Sequence, residues 1–134
     1  MAKIAEIEGV GPGFAEALAG AGVTTTEGLL TAGGTPAGRT TLAEKSGIDV
    51  KKILEWVNHS DLMRIKGVGS EYADLLEAAG VDTVKELATR KPENLHAKMI
   101  ELNTEKSLVR RPPTATGVSE WVAEAKTLPP GVSY

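Results

Sequence analysis

The strongest constraint on this chain is a duplication inside it. Ile7-Glu8-Gly9-Val10-Gly11 returns as Ile65-Lys66-Gly67-Val68-Gly69, 58 residues later. At that offset the match runs on without a gap. Phe14 falls on Tyr72, Ala15 on Ala73, Leu18 on Leu76, Ala21-Gly22-Val23 on Ala79-Gly80-Val81, Thr25 on Thr83 and Leu29 on Leu87. Of the 23 positions from 7 to 29, 11 are identical. A unit present twice implies one supersecondary pattern used twice, here over about residues 1–61 and 62–134. Trp56-Val57 and Trp121-Val122 are natural partners but stand 65 residues apart. The second copy therefore carries about seven extra residues by that alignment. Leu108–Pro113 is the expected insertion, because Pro-Pro cannot sit inside a helix.

Each copy reads as helices joined by tight turns. Gly9 and Gly67 stand where a helical end calls for positive φ, which glycine adopts without a Cβ clash. Val10 and Val68 are apolar residues inside the turn and are expected to plug into the core. Gly11 and Gly69 let a backbone come close, either a neighbouring helix or a ligand. Pro12 suits a first helical position, and Ser70 is expected to cap the corresponding helix with its hydroxyl. Phe14, Ala17, Leu18 and Ala21 keep i, i+3, i+4, i+7 spacing, as do Tyr72, Leu75, Leu76 and Ala79. Gly22 and Gly80 end those helices.

Thr83-Val84-Lys85-Glu86 forms a capping box. Gly28 stands opposite Glu86, so the first copy's box is expected at Thr24 and Glu27. Asp49 is expected to cap a helix carrying Ile53, Leu54 and Val57 towards Leu62. No segment alternates like a strand. The expected fold is all-α, with two helix-hairpin-helix repeats packed as one compact helical unit.

Composition narrows the chemistry. Cysteine is absent, which removes disulfides, thiolate metal sites and thiol nucleophiles. With no signal-like apolar run at the start and no stretch near the ~20 apolar residues of a bilayer span, a cytoplasmic, non-membrane protein is expected. The net charge of −3 argues against a strongly basic nucleic-acid binder. The charge is uneven: residues 1–61 hold 5 Lys/Arg and 8 Asp/Glu, whereas residues 62–134 hold 10 of each.

The pattern Ile-x-Gly-Val-Gly, then an Ala/Leu helix, then Ala-Gly-Val-x-Thr resembles the helix-hairpin-helix superfamily. That group includes recombinase amino-terminal domains and the C-terminal domain of the RNA polymerase alpha subunit. The stretch from Leu42 to Gly69, with Arg110-Arg111-Pro112 and the Trp121 segment, is similar to an uncharacterised bacterial family that carries this tandem arrangement. The superfamily resemblance implies that hairpin amides hold DNA phosphates, as an uncapped helix start can. Carried onto this chain, the candidates are Gly67, Val68, Gly69 and Ser70, flanked by Arg64 and Lys66. The first hairpin, Gly9, Val10 and Gly11, is flanked by Glu6 and Glu8 and reads as structural.

The helix after each hairpin carries Phe14 and Glu16, or Glu71, Tyr72 and Asp74, where DNA-binding members tend to carry Lys or Arg. DNA binding through the second hairpin would accordingly be weak, sequence-independent and salt-sensitive, on the order of 10⁻⁴ to 10⁻⁶ M. The leading expectation is a non-enzymatic module that binds a protein partner, with DNA as the alternative. Arg110 and Arg111 are a candidate partner-binding arm, though a solvated loop is the simpler reading. The tail Leu128–Tyr134 is expected to fray.

No catalytic residues, metal ligands or cofactor are expected. Gly33-Gly34-Thr35-Pro36-Ala37-Gly38-Arg39-Thr40 has nucleotide-loop spacing, but Arg39 replaces the lysine and no strand precedes it. His59-Ser60-Asp61 are sequence neighbours and cannot converge as a triad. His96 is isolated, and the carboxylates read as solvated helix surface. Trp56 and Trp121 read as packing residues.

Overall fold

The structure, a computed structural model, describes residues 3–7 and 9–134. Glu8, one of the two acidic flanks of the first hairpin, lies outside the described residues. Those residues form a 3-10 turn, Ile4–Glu6, and eight α-helices: α1 Pro12–Gly20, α2 Thr26–Gly33, α3 Pro36–Ser46, α4 Val50–Leu62, α5 Ser70–Ala78, α6 Val84–Leu87, α7 Pro92–Lys106 and α8 Ala115–Ala125. Among them there is no strand, only an isolated bridge between Lys3 and Thr25. The all-α class follows directly. Among the described residues no helix is long and apolar enough to cross a membrane.

The chain divides into two compact units, Met1–Asp61 with Gly131–Tyr134, and Leu62–Pro130. The first is built on α1 to α4 and buries Leu18, Leu29, Ile53 and Val57 completely. The second is built on α5 to α8 around Leu75, Leu76, Leu87, Met99 and Val118. With so few aromatic residues, both cores rest on aliphatic side chains that fill the space between helices.

The helix ends show which local rules operate. Gly22 and Gly80 take φ of +89° and +91°, and the amides of Val23 and Val81 reach back to the carbonyls of Leu18 and Leu76 at 2.9 Å in both cases. This is a left-handed glycine stop that satisfies carbonyls the helix leaves orphaned. Thr83 caps α6 by accepting the Glu86 amide at 3.3 Å. In the first unit the cap is Thr25, which accepts the Gly28 amide at 3.0 Å, not the expected Thr24. An N-cap binds a backbone N–H, so a glycine at the third helical position serves as well as a glutamate. Asp49 caps α4 as expected, accepting the Lys51 amide at 2.9 Å. Ser70 does not cap α5. Gly69 holds that position, and Ser70 opens the helix as Pro12 opens α1.

Candidate functional site

Each Gly-Val-Gly segment begins as a backbone turn whose amides are partly consumed inside the fold. Gly9 and Gly67 take φ of +90° and +87°. The turn then sends the Val10 amide to the Ile7 carbonyl at 3.1 Å and the Val68 amide to the Ile65 carbonyl at 3.0 Å. Both valines are buried. A Cβ on Gly9 would lie 3.8 Å from Nε1 of Trp56, and one on Gly67 would lie 3.5 Å from Nε1 of Trp121. Each indole also packs on the aromatic ring that opens the following helix. Phe14 and Trp56 have centroids 5.2 Å apart at 59°, and Tyr72 and Trp121 5.1 Å apart at 52°. Both tryptophans are buried packing residues.

The second hairpin holds the candidate phosphate contacts. Val68 cannot donate, because its N–H is spent on Ile65. Gly67 and Gly69 are exposed and their amides have no partner among the described residues. Arg64 is half-buried and its guanidinium donates to the Pro129 carbonyl at 2.9 Å. Lys66 is exposed, but its backbone amide donates to the Glu124 carboxylate at 3.1 Å. Glu124 was expected to be a solvated surface acid. Its residence at Lys66 sets a negative charge beside the amides that a phosphate would have to meet, a repulsion that solvent at this exposed position moderates.

The Arg110-Arg111 arm is exposed, as a solvated loop would be, but its backbone is tied down. Its backbone runs against the first turn of α5. The Arg110 amide donates to Glu71 Oε1 at 3.3 Å, and the Tyr72 hydroxyl donates to the Arg111 carbonyl at 2.8 Å. Val109 and Pro113 anchor the two ends in buried positions, and the Pro113 carbonyl bonds His96 Nε2 at 3.0 Å. His96 thus has a structural partner. The Arg110 side chain stays 94% exposed, 3.9 Å from Glu71. The fold therefore brings the arm to the helix that follows the second hairpin, a placement that sequence distance conceals.

The first hairpin faces a different environment. Gly9, Gly11, Gly13, Phe14, Ala17 and Ile48 line an open, mainly apolar groove of about 580 Å³. Phe14, at the start of the apolar spacing that leads to buried Leu18, is itself 36% exposed. The Lys52 ammonium stands 5.8 Å from its ring centre.

The nucleotide-loop spacing at Gly33–Thr40 has a structural explanation. The stretch joins α2 to α3, with Thr35 capping α3 by accepting the Gly38 amide at 3.1 Å. A Cβ on Gly33 would come within 2.7 Å of Val57 Cγ2, and one on Gly38 would collide with the Ala32 carbonyl. Arg39 is buried and donates to the carbonyls of Gly33 at 2.9 Å and Ser133 at 2.7 Å. It also lies 5.8 Å from the centre of the Tyr134 ring. The segment Gly131–Tyr134 is therefore pinned, contrary to the expected fraying. The Ser133 amide bonds the Gly34 carbonyl at 2.7 Å and the Tyr134 hydroxyl bonds Asn58 at 2.7 Å. Sequence reasoning missed this clamp, whose only signal was a lone arginine in an otherwise uncharged loop. His59 lies in the last turn of α4 and is buried there.

The model of one family, described as a domain of unknown function (DUF4332), matches residues 8–128. The chain belongs to that family. The match takes in both Gly-Val-Gly segments, the Arg110-Arg111 arm and both tryptophans, and it ends before the Gly131–Tyr134 clamp. No curated protein and no solved structure matches the chain.

Proposed function

We propose that this chain is a non-enzymatic recognition module of two helix-hairpin-helix units that binds a protein partner. Support for the paired units comes from the recurrence of one local design. Both have a glycine at φ near +90°, an inward valine amide, an aromatic ring on an indole, and a second glycine stop. The observation that carries the protein-partner reading is the Glu124 carboxylate on the Lys66 amide. With the Val68 N–H turned inward as well, the hairpin with the basic flank keeps the Gly67 and Gly69 amides for a phosphate, beside a carboxylate that repels it. Non-enzymatic recognition is supported by the structural employment of Arg39, the one cation in the nucleotide-loop-like stretch.

A second reading, weak DNA backbone binding at the second hairpin, is favoured by one observation. The Arg110 side chain is held beside Glu71, two residues after Gly69, and adds an exposed cation to Lys66. Fluorescence anisotropy of a labelled random-sequence duplex, titrated at low and moderate salt, separates the readings. The protein-partner reading expects no binding at low salt, where electrostatic attraction is least screened. Micromolar binding that weakens steeply with salt, and disappears in the double variant Arg64→Glu with Lys66→Glu, would replace it with the DNA reading.

A further inference from the structure

We infer that the groove of the first unit takes an extended, proline-containing segment of a partner protein, laid across the first turn of α1. The inference rests on reading the two units as copies of one hairpin unit. In the second unit the corresponding helix turn is already covered, by the chain's own Val109–Pro113. That segment is anchored at buried Val109 and Pro113 and crosses Glu71 and Tyr72 between them. In the first unit the link from α3 to α4 is only residues 47–49, with Ile48 as its single buried side chain.

Three differences open the space that the longer loop fills in the second unit. Gly13 stands where the other unit has Glu71, Ala17 where it has Leu75, and Phe14 where it has Tyr72. The resulting groove, at about 580 Å³, falls within the range of roughly 300–1,000 Å³ typical of ligand sites. Its walls also select the occupant. Gly13 offers no carboxylate for a backbone N–H, and Phe14 offers no hydroxyl for a carbonyl. A segment rich in N–H groups would lose hydration there without replacement. Proline has no N–H to strand, and a polyproline conformation costs little ordering on binding. Proline rings also pack on the part of the Phe14 ring left exposed beside Trp56 and the Lys52 ammonium.

The test is amide NMR on the full chain, titrated with a synthetic end-blocked peptide of sequence Ser-Leu-Val-Pro-Pro-Pro-Pro-Thr, which is residues 107–114 with proline in place of the two arginines whose backbone groups meet Glu71 and Tyr72. Saturable shifts confined to Gly9, Gly11, Gly13, Phe14 and Gly47 are expected. Affinity should fall at least about fivefold, the equivalent of ~1 kcal/mol, when the four peptide prolines become alanine. It should fall similarly in Ala17→Leu, which installs the side chain the other unit carries and fills the groove. A folded Ala17→Leu spectrum with undiminished binding would overturn the inference, as would an absence of shifts at millimolar peptide. Shifts at the same signals on concentrating the protein alone would mean that a second copy covers the groove, and would also overturn it. Failure of the protein-partner reading looks different, because salt-sensitive DNA binding would move Lys66–Ser70 in the second unit.

Discussion

Replacing Arg39 with methionine removes the guanidinium and keeps most of the apolar stem, so the expected effect isolates the clamp that holds Gly131–Tyr134. Arg39 is 5% exposed and donates to two carbonyls, Gly33 at 2.9 Å and Ser133 at 2.7 Å. Hydrogen bonds from a charged donor contribute about 1.5–3 kcal/mol each, before the cost of desolvating the charge is set against them. The two lost partners are unequal. Ser133 is exposed, so its carbonyl regains water. Gly33 is buried, so its carbonyl is stranded at about 1–3 kcal/mol. Contact with the Tyr134 ring adds about 0.5–1 kcal/mol.

Together these give an expected loss of about 2–4 kcal/mol, below the simple sum because removing a buried charge also relieves its desolvation. Urea unfolding followed by circular dichroism measures the loss. Amide exchange at Ser133 checks its origin, since the Ser133 amide bonds Gly34 only while the segment is docked. A loss under about 0.5 kcal/mol, with Ser133 still protected, would refute the account of the clamp. A phosphate-ligand role for Arg39 would show the opposite pattern, with lost nucleotide affinity and little lost stability.

Other perturbations test the hairpins and the arm. Gly67→Ala forces a Cβ into φ of +87° and to 3.5 Å from the Trp121 indole, so it should cost about 1–2 kcal/mol. Gly69→Ser, at an N-cap position with φ −94° and open space around its Cβ, should cost under about 0.5 kcal/mol in the same urea melts. Equal costs would contradict the assignment of the positive-φ residue. Thr83→Ala should lose about 1 kcal/mol, because Thr83 is the α6 cap, and an unchanged melt would show the cap to be idle. Tyr72→Phe should leave the fold intact and speed hydrogen exchange at Arg110 by several-fold, because the Tyr72 hydroxyl is one of the two hooks on the arm. Glu124→Gln tests the hairpin charge. If that carboxylate is what repels phosphate, low-salt DNA binding should strengthen in the variant, and identical titrations would remove Glu124 from the explanation.

The places where sequence reading succeeded and failed follow a pattern. Gly22 and Gly80 were legible as helix stops, and Gly9 and Gly67 as positive-φ turns, since a glycine before a valine carries its backbone requirement within a few residues. The buried valines and Asp49 were legible for the same reason. A reciprocal glutamate, Glu27, points to Thr24 as the cap, one residue from Thr25, whereas the cap needs only the Gly28 amide. Ser70 was misread as a cap because a hydroxyl near a helix start is a common cap, and only the backbone shows that the helix has already begun.

The larger misses share a single cause. The Lys66 amide meets Glu124 from 58 residues away, Arg110 meets Glu71 from 39, and Arg39 meets Ser133 from 94. Sequence alone determined the all-helical class, the duplicated pattern and the turn chemistry, because spacing, caps and φ preferences act over a few residues. Tertiary structure alone decided which polar groups meet, and so which hairpin amides are spent, which arm is tied down and which groove stays open. A charged side chain has no local preference for a distant partner, and packing of the aliphatic core sets which surface groups come within hydrogen-bond reach.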